Sequence, residues 1–514
     1  MTKNSLKILL VIPPRLFWPY MNGDDNFLVP QNMVCLAAAL REKGFAVEIL
    51  DCLPLKIGWR SLAKILREKK PDIVGMGENH ALYENEVIRG FKLVKEILPK
   101  AVTIAGGAHF TNCYSEYIFD QAIDFIVAGE GERTMVELVA ELHKTNRNFS
   151  KIKGLIYCEN GKIIRTPARE LITNLDDLPL PAYDLVPMNL YGRGHYLFSP
   201  GGATIQHSRG CTNGCEFCVW WTQDARRENN AAGGYQLTPY WRTKSVERTF
   251  EEIEIIYKKY HKKWLLFVDG SWNINAEYNE KFAEEMLRRK YKIDWFSFMR
   301  ADCILRDEKK GIMKKLVDSG LCHTLIGIER VEKEWLAEMK KGNYSSNQSI
   351  EAFKILQSKY PQIFTQGTFI VGVQDETRES LWRQAKLSKE LDLDFPAFHP
   401  LTPVPGTKQY DEAKKNNLLE TTCWQDYNWA TPVMSSKYLS RAEIECEVFK
   451  INKYTISVKK VIKSLFAKSK YKRNMYRWWL IVSVRIGISS LFRFINPFKN
   501  NVYSVLVKPK WYEK

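Results

Sequence analysis

Two stretches of alternating strand and helix signals, separated by a proline-punctuated connector, constrain the fold of this 514-residue chain more than any other feature. Short β-branched runs at Lys7–Ile12, Ala46–Leu50, Asp72–Met76, Val102–Ala105 and Phe125–Ala128 alternate with amphipathic stretches near Gln31–Lys43, Leu62–Lys69, Glu84–Leu98 and Glu132–Lys144. That alternation is the signature of parallel strands joined by crossover helices. It predicts an α/β, Rossmann-like, doubly wound parallel sheet over residues 1–150. Residues 151–200, with Pro179 and Pro181 in Leu175–Tyr183, read as a linker. Six more strand signals follow: Thr204–His207, Trp264–Val268, Trp295–Phe298, His323–Ile328, Phe364–Val371 and Pro396–Leu401. With their intervening helices they predict a partial (β/α)6 TIM-type barrel over 201–410, with 411–514 as a basic, helical C-terminal extension.

In open parallel sheets ligands lie beyond the carboxyl ends of the strands. The loops there contain Pro13, Asp51, Gly77-Glu78-Asn79-His80, Gly106-Gly107-Ala108-His109 and Gly129-Glu130-Gly131-Glu132. Glycines at such positions let a backbone approach a flat macrocycle or a phosphate closely. After the first barrel strand comes Cys211-Thr212-Asn213-Gly214-Cys215-Glu216-Phe217-Cys218, a C-x3-C-x2-C run. Three thiolates so close can ligate three irons of one cubane and leave the fourth iron open for chemistry. A zinc knuckle drawing on nearby His207 is the alternative. The other eight of the eleven cysteines are scattered without a disulfide framework, which favours a reducing compartment.

The cysteine run resembles the loop of the radical S-adenosylmethionine (SAM) superfamily, C-x3-C-x-aromatic-C, with Phe217 in the aromatic place. The resemblance implies a [4Fe-4S] cluster on Cys211, Cys215 and Cys218, and SAM chelating the open iron and cleaved reductively to a 5′-deoxyadenosyl radical. It also implies SAM contacts from Phe217, Asp269, Arg300, Glu329 and Gly372, which sit in the cysteine loop or at the ends of successive strands. Thr402-Pro403-Val404-Pro405-Gly406-Thr407 is similar to that family's closing loop. The glycine loops of the first sheet resemble the cobalamin domain of the cobalamin-dependent subgroup. This implies cobalamin contacts from Pro13, Asn79, His80, Gly106, Gly107, His109, Gly129, Glu130 and Gly131. No histidine stands in a D-x-H-x-x-G frame, so none from that motif should ligate cobalt. A first domain without any cofactor is the alternative, and a corrinoid or iron-sulfur sensor or carrier is a non-catalytic one.

The subgroup holds methyltransferases acting on unactivated carbon or phosphinate phosphorus, and ring-forming anaerobic magnesium-protoporphyrin monomethyl ester cyclases. The motifs do not separate methylation from cyclisation. A small-molecule substrate, lipid or tetrapyrrole, and a flavodoxin or ferredoxin reductant are implied. No residue is singled out as catalytic; Trp220, Trp221, Trp272 and His399 are candidates to line a pocket.

Charge locates one further feature. Residues Ile451–Lys514 hold fifteen Lys or Arg and one acid, so they carry +14 of the net +17. This concentration argues against a nucleic-acid binder and for a locally basic segment. Arg477, Arg485 and Arg493 recur every eight residues among Trp478, Trp479 and Ile486, which fits an amphipathic helix on an anionic membrane surface, or one docked on the barrel. With no export signal in view, the expected location is cytoplasmic, peripheral at the inner face of the membrane.

Overall fold

A computed structural model describes residues 6–17, 27–120, 122–192, 201–229, 235–341, 346–455, 462, 466–491 and 506–514. The first domain is built on β1 (Ile8–Ile12), β2 (Val47–Asp51), β3 (Ile73–Gly77), β4 (Val102–Gly106), β5 (Phe125–Val127), β6 (Leu155–Glu159) and β7 (Lys162–Arg165), in the order β2-β1-β3-β4-β5-β6-β7. β1 reads ILLVI and is buried throughout, as a central parallel strand covered on both faces must be. Leu9 and Val11 pack with Leu62, Leu66, Phe91 and Val94 on one face. On the other face Ile8, Leu10 and Ile12 meet Met33, Ala37, Leu40 and Leu138. The sheet is therefore doubly wound, and its strand order reverses between β1 and β3, where ligands collect in such folds.

The first five strands are parallel; β6 and β7 add an antiparallel hairpin where the sequence pattern predicts linker. The reason is the dipeptide Asn160-Gly161. Both residues adopt positive φ, +50° and +74°, the geometry of a tight hairpin turn whose twist matches the flanking strands. The first domain thus extends to Arg165. The remaining connector is no loose spacer, since Tyr183 and Tyr191 are buried in it. Tyr191 Oη donates to Asp51 at 2.8 Å and the Lys262 ammonium donates to the Tyr191 carbonyl at 2.8 Å, joining both domains.

The second domain carries β8 (Gly202–Ile205), β9 (Ser208–Gly210), β10 (Arg226–Asn229), β11 (Tyr235–Thr238), β12 (Trp241–Thr243), β13 (Trp264–Phe267), β14 (Asp294–Phe298), β15 (Leu321–Glu329), β16 (Phe364–Val371) and β17 (Phe395–Pro400). Six of these form one parallel sheet in the order β17-β16-β15-β14-β13-β8, the expected partial barrel. β9 pairs with β12 and β10 with β11 as short antiparallel ladders.

The C-terminal extension does two structural jobs. The helix Lys470–Leu491 plugs the lower end of the barrel: Tyr471 and Met475 pack among Trp264, Leu266, Phe296, Cys322 and Phe364, and Tyr471 Oη lies 2.9 Å from His323 Nδ1. Lys472 pairs with Asp394 at 2.8 Å. This is the docked arrangement for the helix's first turns, while Arg477, Leu480 and Val484 are exposed. Arg493 and the side chains of Trp479, Arg485 and Ile486 lie outside the described residues. Among the described residues no helix is long and apolar enough to cross a membrane. To this helical tail the structure adds a strap. Val507 pairs with Phe17, Tyr512 is buried beside Trp59, and the Tyr512 and Lys514 carbonyls accept from Trp59 and Ser61 N–H groups at 2.9 and 3.1 Å. Those donors belong to the first turn of the helix Trp59–Lys69, which has no intrahelical partner for them.

Candidate active site between the two sheets

The carboxyl ends of both parallel sheets face a shared cavity of about 580 Å³. From the first sheet it is lined by Gly77, Glu78, Asn79 and His80 after β3, Gly106 and Gly107 after β4, and Gly129, Glu130, Gly131 and Glu132 after β5. From the barrel come Thr204, Gln206, Arg209, Trp220, Val268 and Gly270. Gly107 has φ +88°, and a Cβ there would collide with the Glu78 carbonyl. At Gly106, by contrast, a Cβ would meet nothing nearer than 3.8 Å. Gly107 permits the turn; Gly106 keeps the wall bare for whatever lies against it.

Polar side chains hold these loops rather than face freely into the cavity. Glu78 Oε1 accepts from Asn79 and His80 N–H groups at 3.0 and 3.1 Å, and its other oxygen pairs with Arg15. Asn79 Oδ1 accepts from Ala108 N at 3.1 Å, tying the turn after β3 to the turn after β4. His80 is edge-on to Trp220 and Trp429. Burial lowers its pKa, so it is neutral near pH 7, and its Nδ1 has no hydrogen-bond partner among the described residues. Glu130 lines the cavity, but its carboxylate is taken by Arg209, Arg242 and Ile172 N. Pro13 and His109, expected among the contacts, do not line the cavity. His109 turns into the core, 2.9 Å from Tyr117 Oη and against Trp424, where burial brings its pKa down to about 4.

The cysteine loop leaves β9 through Gly210, whose φ of +85° and close approach to the Tyr240 carbonyl leave no room for a side chain. It ends at Cys218, which caps the short helix Val219–Gln223. Internal bonds fix it: Trp221 Nε1 donates to the Cys215 carbonyl at 2.8 Å, Glu216 N to the Met339 carbonyl at 3.0 Å, and Asn213 N to Cys211 Sγ at 3.5 Å. Burial pushes the Cys215 thiol up to about 12 and Cys218 up to about 11, so thiolates there require a cation beside them. Among the described residues no three His, Cys, Asp or Glu converge to hold a single metal ion. A cubane makes a different demand, since each thiolate meets its own iron. His207 is buried, with its ring stacked on Tyr278 and its Nδ1 2.7 Å from Asp269, which leaves its buried Nε2 for a zinc knuckle.

Around the loop the strand ends supply charge. Arg300 Nη1 donates to Thr212 Oγ1 at 3.0 Å while the rest of its guanidinium holds Asp302. Glu329 ends β15 at φ +65°, a strained conformation for a residue other than glycine, and pairs with Lys341 at 2.8 Å. Phe217 stacks on Trp335 with centroids 5.6 Å apart. Gly372 has φ +71° and donates to Glu376, which clasps Arg330. Asp269, expected beside the cofactor, is fully buried and spends its Oδ1 on Ser208 Oγ at 2.6 Å and on the N–H groups of His207 and Ser208. It positions the approach to the cysteines. Trp220 lines the cavity and Trp221 a neighbouring one of about 620 Å³. Trp272 instead belongs to the barrel core with Trp295 and Phe282. His399 Nδ1 lies 3.1 Å from the Trp429 carbonyl, and burial keeps it neutral. Trp429, at φ +58°, was not anticipated; it comes from the C-terminal extension, and no spacing in the sequence marks it.

Comparison with known proteins agrees with this division. Residues 25–139 match the B12 binding domain family and residues 205–387 the radical SAM superfamily. The chain is 33% identical over 443 residues to an uncharacterized methyltransferase of Pyrococcus horikoshii, covering 85% of this chain and 90% of the relative. It is 26% identical over 474 residues to the anaerobic magnesium-protoporphyrin IX monomethyl ester cyclase of Rubrivivax gelatinosus, covering 90% of this chain and 80% of that enzyme. Among solved structures, the radical SAM methyltransferase TsrM of Kitasatospora setae shares the fold, with a TM-score of 0.67 at 15% identity over 94% of this chain and all of that one.

Proposed function

Since this chain belongs to the B12-binding radical SAM enzymes, we propose that it transfers a methyl group to an unactivated carbon of an apolar small molecule bound between its two domains. The observation that carries this reading is the shared cavity: the bare glycine turns of the first sheet face Trp220, two residues beyond Cys218. When bound, the cobalamin, the cluster and SAM supply a methyl carrier, a one-electron donor and the source of a carbon-centred radical. The donor set fits them. Three sulfur ligands on one pre-shaped loop suit a cubane with an open iron, and a wall stripped of Cβ atoms suits a broad, flat ring.

In this reading Cys211, Cys215 and Cys218 hold the cluster. Phe217, Arg300, Glu329 and Gly372 would surround SAM: Glu329 stands as a hydrogen-bond acceptor for its amino group, and Arg300 steadies the loop at Thr212. Asp269 orients Ser208 and thereby the path to Cys211. Asn79, His80, Gly106, Gly107, Gly129, Glu130 and Gly131 form the corrin-facing wall, Asn79 and Glu130 by fixing the turns and His80 by its ring, edge-on to Trp220 and Trp429. Trp220 offers the substrate an apolar face in the cavity, and Trp429 packs edge-on to His80. A flavodoxin or ferredoxin supplies electrons. The exposed strip of Arg477, Leu480 and Val484 supports a peripheral place at the inner face of an anionic membrane.

Cyclisation is the second reading, favoured by the cyclase relative and by a tetrapyrrole's fit to an apolar seam. Protein reconstituted anaerobically with iron, sulfide and hydroxocobalamin separates these outcomes. Retained corrin absorption, deoxyadenosine release and transfer of a trideuteriomethyl group from labelled SAM establish methylation. Ring closure without label in the product establishes cyclisation. Neither corrin retention nor deoxyadenosine overturns both.

A further inference from the structure

Arg209 stands at the centre of β9, two residues before Cys211, and its guanidinium reaches out of the barrel into the first domain. Nη1 lies 2.6 Å from Glu130 Oε1 and Nη2 2.6 Å from Glu132 Oε1, so one planar fork spans the two carboxylates on either side of Gly131. Glu130 also accepts from Arg242, on β12, and through Oε2 from Ile172 N at 2.8 Å. All four charged side chains are at least nine-tenths buried. The turn they hold, Gly129–Glu132, is cavity wall, with Gly129 at φ +81°. On the other side, β9 is registered against β12 residue by residue, and Gly210 N donates to Asp224 at 3.2 Å before the chain enters the cysteine loop.

Buried ion clusters add little stability over apolar replacements of the same volume, and their best-attested use is to fix register. A guanidinium suits that use, because its donors are rigid in one plane. If the glycine turn shifts, Arg209 must follow or leave a charge unpaired where that is costly. We propose that Arg209 is a positioning residue that couples occupancy of the glycine-walled cavity to the geometry of the cysteine loop. The inference rests on the reading that a corrin fills the cavity and a cluster the loop. Coupling of this kind is reciprocal: the cluster must tighten corrin binding by the factor by which corrin stabilises the cluster-bearing loop.

The test is a titration of the full chain with hydroxocobalamin, with and without a reconstituted cluster, read by absorption, together with the cluster's midpoint potential with and without corrin. In the wild type the cluster tightens corrin binding by about 5–50-fold, and corrin shifts the potential. The charge-balanced pair Arg209→Gln with Glu132→Gln brings the affinity ratio to within about twofold of one and abolishes the shift, while both cofactors still bind. Arg209→Lys, which keeps the charge but cannot span both carboxylates, gives an intermediate ratio and decides the matter if the double variant does not fold. A wild-type ratio of one, or a ratio and a shift unaltered in these variants, overturns the coupling. No corrin binding by the wild type would instead sink the cofactor reading itself, a different result from two cofactors that bind independently.

Discussion

The two parallel sheets meet at their carboxyl ends, yet they furnish the seam in opposite ways. The first contributes backbone: Gly106, Gly107, Gly129 and Gly131 form its wall, and the polar groups among them are spent on holding turns. The second contributes side chains: Gln206, Arg209 and Trp220 line the cavity, and along the neighbouring cysteine loop stand three thiols, the Arg300 guanidinium and the strained Glu329. A broad ring is accommodated by removing Cβ atoms, whereas a metal cluster and a small charged cofactor are held by adding donors. The two halves should therefore fail in opposite ways, one to added atoms and the other to removed ones.

The sharpest break in that comparison is Cys211→Ala. Removing one of the three proposed cluster ligands should lower deoxyadenosine release by more than about 1000-fold, the scale of losing an essential catalytic group, while hydroxocobalamin binds as it does to cluster-free wild type. Iron per chain and high-performance chromatography of the nucleoside check it. The reciprocal test adds atoms to the first sheet. Gly106→Val puts a branched side chain on the bare wall, where a Cβ meets nothing nearer than 3.8 Å, so the fold accommodates it while a ring lying there is overpacked by about 1–3 kcal/mol; corrin affinity should drop by about 5- to 150-fold with iron loading unchanged. If Gly106→Val retained corrin through desalting, the bare wall would not be the binding surface.

The asymmetry also explains what could be read in advance. The doubly wound sheet and the partial barrel follow from hydrophobic runs such as ILLVI in β1, whose burial is complete. The cysteine loop was legible because its chemistry requires side chains at fixed spacing. The glycine turns were legible as turns, but residues near them were not sorted: His109 has the right position and the wrong direction, turned by its helix into the core against Tyr117. Asp269 stands at the expected strand end, yet its burial gives it to Ser208. The hairpin at Asn160-Gly161 was signalled by its dipeptide alone, a cue easily lost beside the prolines that follow it. The strap ending in Tyr512 and the insertion of Trp429 carried no signal, because each is fixed by contacts with residues hundreds of positions away.

On the barrel side, Glu329→Gln keeps shape and removes charge. The ion pair with Lys341 at 2.8 Å is removed and, in the proposed reading, SAM loses an acceptor for its amino group, so SAM cleavage should fall about 10- to 100-fold, the cost of one charged hydrogen bond, with iron content unaltered. An equal loss of iron would make Glu329 a support of the cysteine loop instead.

The smallest effect compares two strand-end aspartates. Asp269 of the barrel is held by three donor groups, whereas Asp51, at the end of β2, receives two among the described residues, Tyr191 Oη and Leu53 N. Burial outweighs those two bonds and pushes the Asp51 carboxyl up to about 6. The folded chain therefore binds the proton more tightly than the unfolded one. Stability is complete below pH about 4 for this group, declines as pH rises from about 4 to 6, and is flat above that, by at most about 3 kcal/mol at 1.36 kcal/mol for each unit. Asp51→Asn keeps an acceptor for Tyr191 and carries no charge to bury. It should be more stable than wild type by about 1–3 kcal/mol at pH 7.5, equal to it near pH 4, and unfold a few degrees higher only at the upper pH. Paired urea melts at the two values measure this. A gain of the same size at both would assign the effect to packing, and the first sheet would then tolerate charge at its strand ends as readily as the second.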